Sequence, residues 1–145
     1  MIARNTFRKF AVASSAAAAI VAAPGLAGAT IVPPSSATLQ VVGDTVTATL
    51  SGISTDLPGG TVQCTLFVDG DPRQNTLSAR EPAPANFTLA RPLAAGEHLA
   101  LTYCADFPAD SDTPSSYPTL ACAKVTMPVG TVEALPNDQC FLTNS

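Results

Sequence analysis

The sequence predicts an all-β protein: an antiparallel β-sandwich of about seven strands with two disulfides. Three observations carry the prediction. Between residues 38 and 128, short apolar runs alternate with polar residues at a period of two and are separated by Gly, Pro and Asp turns, as half-buried strands require. Beyond residue 29 no helical period is sustained, and the chain's 13 prolines disfavour helices. All four cysteines, Cys64, Cys104, Cys122 and Cys140, lie in this same part. An even count in a small exported chain reads as two disulfides.

The N-terminus reads as separate from the fold. Arg4, Arg8 and Lys9 form a positive start, Phe10 to Ala23 is uncharged and alanine-rich, and Pro24-Gly25 breaks the run. Ala27-Gly28-Ala29 then offers small residues at the two positions a signal peptidase needs. Residues 1–29 are therefore expected to be a secretory signal peptide. The run is shorter than the roughly 20 apolar residues that span a bilayer. No cysteine follows the cleavage point to take a lipid, and no later segment is apolar enough to span. The product is expected to be secreted and extracellular, without a membrane span. It would comprise Thr30 to Ser145, 116 residues, which is one domain on length.

The elements follow in order. Residues 30–37, "TIVPPSSA", form a Pro/Ser lead-in. In "TLQVVGDTVTATLSGI" two strands flank Gly43-Asp44, and Val46, Ala48 and Leu50 alternate with Thr45, Thr47, Thr49 and Ser51. "LPGG" (57–60) is a turn. "TVQCTLFV" puts Val62, Cys64, Leu66 and Val68 on one face, and Asp69-Gly70 closes it with a tight turn. Residues 71–85 carry Pro72, Pro82 and Pro84 and read as a long connection. "NFTLARPL" is the fourth strand, with Phe87 and Leu89 on one face. Gly96 turns the chain into "EHLALTYC" (97–104). Residues 105–119 hold three prolines and three aspartates and read as a loop. "LACAKVTMP" is the last core strand, with Ala121, Ala123, Val125 and Met127 on one face, and 129–145 is a tail.

Composition excludes several functions. All 11 acidic residues lie beyond residue 29, against Arg73, Arg80, Arg91 and Lys124, a net charge of −7. Phosphate recognition needs clustered Lys and Arg, so nucleic acid is excluded as a partner. No cofactor is implied. No two cysteines stand two to four residues apart and His98 is the single histidine, so no zinc site is expected. Asp106, Asp110 and Asp112 do not have the spacing of a calcium loop and read as solvated acids, so no metal is expected. A Ser/His/Asp triad would have to use His98, and no G-x-S-x-G is present. No catalytic residue is expected, and the protein is not expected to be an enzyme. Asn86-Phe87-Thr88 has the form of a glycosylation sequon but reads as a strand start.

Taken together, "GTVQCTLFVDG", "LAAGEHLALTYCAD" and a last strand ending at Pro128 resemble the small secreted immunoglobulin-like β-sandwich domains of high-GC Gram-positive bacteria. The resemblance covers about residues 38–128 and implies a fold, not an activity. The chain has no Trp, and Tyr103 directly precedes Cys104, so the antibody-type core with its tyrosine corner is not implied.

Strand 97–104 is apolar on one parity at Leu99, Leu101 and Tyr103, with His98, Ala100, Thr102 and Cys104 on the other. Alternation alone sends the Leu-Leu-Tyr face inward. The resemblance implies the reverse, with Cys104 inward on the side of Cys64. On that reading Cys64 pairs with Cys104, and Cys122 with Cys140, tethering the tail. If Leu99, Leu101 and Tyr103 are core, the pairing becomes Cys104–Cys122 with Cys64–Cys140. Inward cysteines leave Phe67, Leu99, Leu101 and Tyr103 as an outward apolar patch, unusual for a soluble monomer. Val129, Val132, Leu135, Phe141 and Leu142 of the tail are expected to cover it. The alternative is a binding surface.

The expected function is a secreted, non-catalytic binding or structural module of the cell envelope or exterior, a monomer with an extracellular or envelope partner. Two alternatives stand beside it. One is a protease inhibitor presenting the loop 105–119, since a disulfide-held loop lowers the entropy cost of binding. The other is a small-ligand carrier.

Overall fold

The alternating segments fold into two antiparallel sheets packed face to face. The computed structural model describes residues 21–22, 30–137 and 140. Its strands are β1 (Val21–Ala22), β2 (Ile31–Val32), β3 (Ser36–Val42), β4 (Thr45–Thr55), β5 (Thr61–Val68), β6 (Asn75–Leu77), β7 (Glu81–Pro82), β8 (Ala85–Pro92), β9 (Gly96–Phe107), β10 (Thr119–Met127) and β11 (Thr131–Ala134). The first sheet is built on β3, β4 and β8, with β2 beside the end of β4 and β1 against β3. The second runs β11-β10-β9-β5-β6, with β7 also on β5. Two antiparallel sheets packed in this way form a β-sandwich.

The core lies between the sheets. From the first come Leu39, Val46, Ala48, Leu50, Ile53 and Leu89, and from the second Val62, Cys64, Leu66, Val68, Ala100, Cys104 and Val125. Thr47, Thr49 and Ser51 of β4 point the other way, so the outer face of the first sheet is hydroxyl-rich. On β9, Ala100, Thr102, Cys104 and Asp106 face inward and are buried. Inward Thr102 is satisfied because its hydroxyl donates to the Thr65 carbonyl at 2.9 Å. Cys64 stands directly opposite Cys104 in the ladder, Cα atoms 4.0 Å apart, and the two are bonded. Cys122 is bonded to Cys140.

Midway along β4 the register with β8 shifts between Leu50 and Ile53. Gly52 sits there with φ +59°, a conformation other residues resist. Its amide has left the ladder and donates instead to Asn86 Oδ1 at 2.8 Å. The sequon asparagine is thus occupied in closing a bulge.

Several expected boundaries move. Ile31 and Ala37 are buried, and Ile31–Val32 pairs with Ser54 and Thr55, so the lead-in 30–37 belongs to the first sheet. Prolines 33 and 34 split this edge into pieces too short to show a period. The connection 71–85 contains a 3-10 turn (Pro72–Gln74) and the short strands β6 and β7, both on β5. β9 continues to Phe107, and the loop begins at Pro108. Its continuation is masked in sequence because the inward position falls on Asp106. At β10 a bulge between Thr119 and Ala121 sends both Leu120 and Ala121 into the core. The tail is not merely a tether: β11 pairs with β10, Val132 opposite Val125. Val132 packs on the main core instead of the outward patch, and Val129 is exposed at the turn. Phe141 and Leu142 lie outside the described residues, as do residues 1–29 apart from β1.

Candidate functional site

The second sheet has an apolar outer face as well as an apolar inner one. Alternation turns Phe67 of β5 and Leu99, Leu101 and Tyr103 of β9 outward, and Leu101 stands opposite Phe67 in the ladder. The four predicted patch residues are therefore on one face; all four pack in the cluster the tail covers, and Phe67, Leu101 and Tyr103 also line an open groove.

At one end the tail covers them. Leu101, Cys122 and Cys140 form a second buried cluster, with Phe67, Leu99, Tyr103 and Leu135 packed around it. The Leu135 amide donates to the Cys122 carbonyl at 3.0 Å, and Asn137 Nδ2 donates to the Thr119 carbonyl at 3.1 Å. These bonds and the Cys122–Cys140 disulfide lay the tail along β10. Of the five tail residues expected to cover the patch, Leu135 does so. Val129 and Val132 point elsewhere.

At the other end the face is open and concave. A groove of about 590 Å³ is lined by Gln63, Thr65 and Phe67 of β5, Leu77 of β6, and Leu101, Tyr103 and Ala105 of β9. Pro114 and Tyr117 of the loop 108–118 and Thr119 of β10 complete it. None of these residues is charged. Leu77 and Tyr117 are 60% and 59% exposed, which is high for large apolar side chains. Gln63 is held at the rim, its Nε2 donating to the Ser78 carbonyl at 2.9 Å. Leu77, Pro114 and Tyr117 were not expected as site residues, because they lie in segments that read as connections. Their one signal in sequence is a large apolar residue inside a polar stretch. The chain's two tyrosines, Tyr103 and Tyr117, both line this groove.

The loop that forms its far wall is pinned from below. The Ser115 amide donates to the Asp106 carbonyl at 2.7 Å and the Asp106 amide to the Ser116 carbonyl at 3.1 Å. Arg80 donates to the Asp112 carboxylate at 2.9 Å and to the Ser111 carbonyl at 3.3 Å, with its guanidinium 4.1 Å from the centre of the Phe107 ring. Asp106, Asp110 and Asp112 are not brought together. Asp106 is buried, Asp112 faces Arg80, and Asp110 lies exposed in a turn with φ 67°.

His98 lies at the opposite end of β9 from this loop. Its Nδ1 is 2.7 Å from Asp69 Oδ2 and its Nε2 is 2.7 Å from the Ala94 carbonyl. Donation from Nδ1 to the Asp69 carboxylate raises the imidazole pKa above 6.5, with burial opposing and the Ala94 carbonyl assisting. Asp69 also accepts from the Leu99 amide at 2.9 Å, so this pair clamps the β5 turn to β9. Both ring nitrogens are occupied by structural partners.

Compared with known protein families, curated proteins and solved structures, the chain matches none. The geometry defines the class of protein: a disulfide-linked antiparallel β-sandwich with an uncharged, aromatic-walled groove on the outside of one sheet. Among the described residues no helix is long and apolar enough to cross a membrane.

Proposed function

We propose that the protein is a secreted, non-catalytic binding module of the cell envelope or exterior, and that the groove on its second sheet is the binding surface. The observation that carries this reading is the groove itself, concave, without charge, and walled by Phe67, Leu77, Tyr103 and Tyr117. Ligand sites are typically concave and mostly apolar, with a few polar groups to orient the ligand. Here Gln63, Thr65 and the tyrosine hydroxyls are the orienting groups. The chemistry that fits is an uncharged group with a flat apolar face, since stacking on aromatic rings needs such a face. Engagement of both His98 nitrogens supports a role without chemistry.

The groove also favours the small-ligand carrier over the inhibitor. Its volume of about 590 Å³ lies within the roughly 300–1,000 Å³ of small-molecule sites. The loop proposed for inhibition contributes Pro114 and Tyr117 to a groove wall and is held down by Arg80 and Asp106. An inhibitor needs that loop projecting.

Tyrosine emission tests the proposal, because no Trp obscures it. Mature protein is titrated with N-phenyl-1-naphthylamine, an uncharged aromatic probe, beside the Phe67→Ser/Tyr117→Ser variant. The expected result is saturable one-to-one binding that changes tyrosine emission and weakens about tenfold or more in the variant, a loss of roughly 1.4 kcal/mol. Absence of saturable binding, or equal binding by the variant, would contradict it. Material purified from culture fluid then identifies the natural ligand by release and mass spectrometry.

A further inference from the structure

Asp106 is a fully buried carboxylate, 0% exposed. Among the described residues no basic side chain forms an ion pair with it. Arg80, on the neighbouring segment, is engaged by Asp112, the Ser111 carbonyl and the Phe107 ring. The carboxylate accepts four hydrogen bonds: to Oδ2 from the hydroxyls of Thr30 and Thr55, the latter at 2.7 Å, and to Oδ1 from the amide and hydroxyl of Ser116 at 3.1 and 3.0 Å. Such donors disperse the charge but do not neutralise it. A buried carboxylate without a cation is costly, and proteins pair such groups.

A cation is available one residue beyond the expected cleavage point. The Thr30 amide donates to Ser116 Oγ at 3.1 Å, and its carbonyl accepts from the Asp56 amide at 2.9 Å. The Thr30 nitrogen is therefore one hydroxyl away from each carboxylate oxygen. Ser116 Oγ links it to Oδ1, and its own side chain links to Oδ2. Thr30 is also the residue that follows Ala27-Gly28-Ala29. The cleavage motif and the carboxylate cluster are independent observations that meet at one atom.

We propose that cleavage of the Ala29–Thr30 bond makes an N-terminal ammonium that pairs with the buried Asp106 carboxylate, so that maturation locks the loop 108–118 onto the sandwich. A signal peptidase adds water across this amide. The C–N bond breaks, Ala29 departs as a carboxylate with the leader, and the Thr30 nitrogen becomes an amine that is protonated at neutral pH. The loop locked in this way carries Pro114 and Tyr117, so processing also sets the groove wall. The proposal rests on the secretion half of the proposed function and is independent of what the groove binds.

The test compares defined N-termini released in vitro from a cleavable fusion. One protein begins at Thr30 and the other at Gly28, which keeps the Thr30 nitrogen as an amide. Each is made with Asp106 and with Asp106→Asn. In urea the Thr30 form is expected to have an unfolding constant about tenfold or more lower than the Gly28 form, and the difference should vanish with Asp106→Asn. No difference, or one that survives Asp106→Asn, overturns the lock. If Asp106→Asn does not fold, acylation of the α-amino group decides instead. The Thr30 amine should react about tenfold or more slowly than the Gly28 amine of the extended form, and equal rates overturn the lock. N-terminal sequencing of exported protein separates the two layers. A start other than Thr30 overturns the lock and leaves secretion standing, whereas an intact Met1 on exported protein overturns both.

Discussion

The two sheets solve different problems. The first presents Thr47, Thr49 and Ser51 outward between buried Val46, Ala48 and Leu50, so burial alone sets its register. A one-residue slip would bury hydroxyls and expose the core row. In the second sheet β5 alternates as well, but β9 has no such protection. On β9 the outward row is Leu99, Leu101 and Tyr103, and the inward row is Ala100, Thr102 and Cys104. With apolar residues on both faces, the hydrophobic pattern barely distinguishes one register from its neighbour. Both disulfides belong to this sheet. Cys64–Cys104 joins opposite residues and fixes the β5–β9 register covalently. Cys122–Cys140 brings the tail over Leu99 and Leu101, beside the groove. The cross-links thus stand where a second apolar row has removed the usual specification of register.

Removing cross-links from one sheet is the strongest way to break this comparison. Cys64→Ala/Cys104→Ala opens a loop of sequence separation 40 and is expected to cost about 4 kcal/mol by the loop-entropy estimate. Leu50→Ala in the first sheet should cost a similar 2–5 kcal/mol, about the range for buried leucines. The two differ in kind: the leucine variant should keep one native state in urea denaturation and NMR spectra, while the cysteine variant should lose uniqueness in β5 and β9. Cys122→Ser/Cys140→Ser, with a separation of 18, should cost about 3 kcal/mol. It should also raise binding of a hydrophobic dye, because Leu99 and Leu101 lose their cover. Unchanged dye binding would show that the tail holds without its disulfide.

Smaller effects sharpen the contrast. Asn86→Ala leaves the Gly52 amide without its acceptor at the bulge and should cost about 1 kcal/mol in urea unfolding, with the groove unaffected. His98→Gln probes the clamp at the end of the second sheet. Because the folded pKa of His98 is raised, the clamp's contribution is fully present below the unfolded value near 6.5 and is lost as pH rises through the folded value. The stability gap between wild type and His98→Gln should be larger at about pH 5.5 than at about pH 8.5. A gap that grows with pH would contradict the assignment.

Legibility in the sequence follows the same division. The first sheet could be read from β4 and β8 because polar and apolar residues alternate cleanly there. The face of β9 could not, since Leu99, Leu101 and Tyr103 outweigh Ala100 and Thr102 in apolarity although they point outward. Cys64, on the same parity as Val62, Leu66 and Val68, pointed the right way where hydropathy did not. The short strands β6, β7 and β11 escaped notice because two to four residues cannot display a period. With them went Leu77, while Pro114 and Tyr117 lie in a true loop whose approach to the sheet depends on Asp106 and Arg80. Phe67, Leu101 and Tyr103 were legible as a surface, and the groove they share with the loop was not.

Residue-resolved amide hydrogen exchange on the Cys64→Ala/Cys104→Ala protein, with Cys122–Cys140 intact, tests most directly whether the disulfide specifies what the hydrophobic pattern leaves open. The account predicts that β3, β4 and β8 keep most of their protection, while β5 and β9 lose theirs and show more than one set of resonances. Equal loss of protection in both sheets, with a single set of resonances for β9, would contradict it.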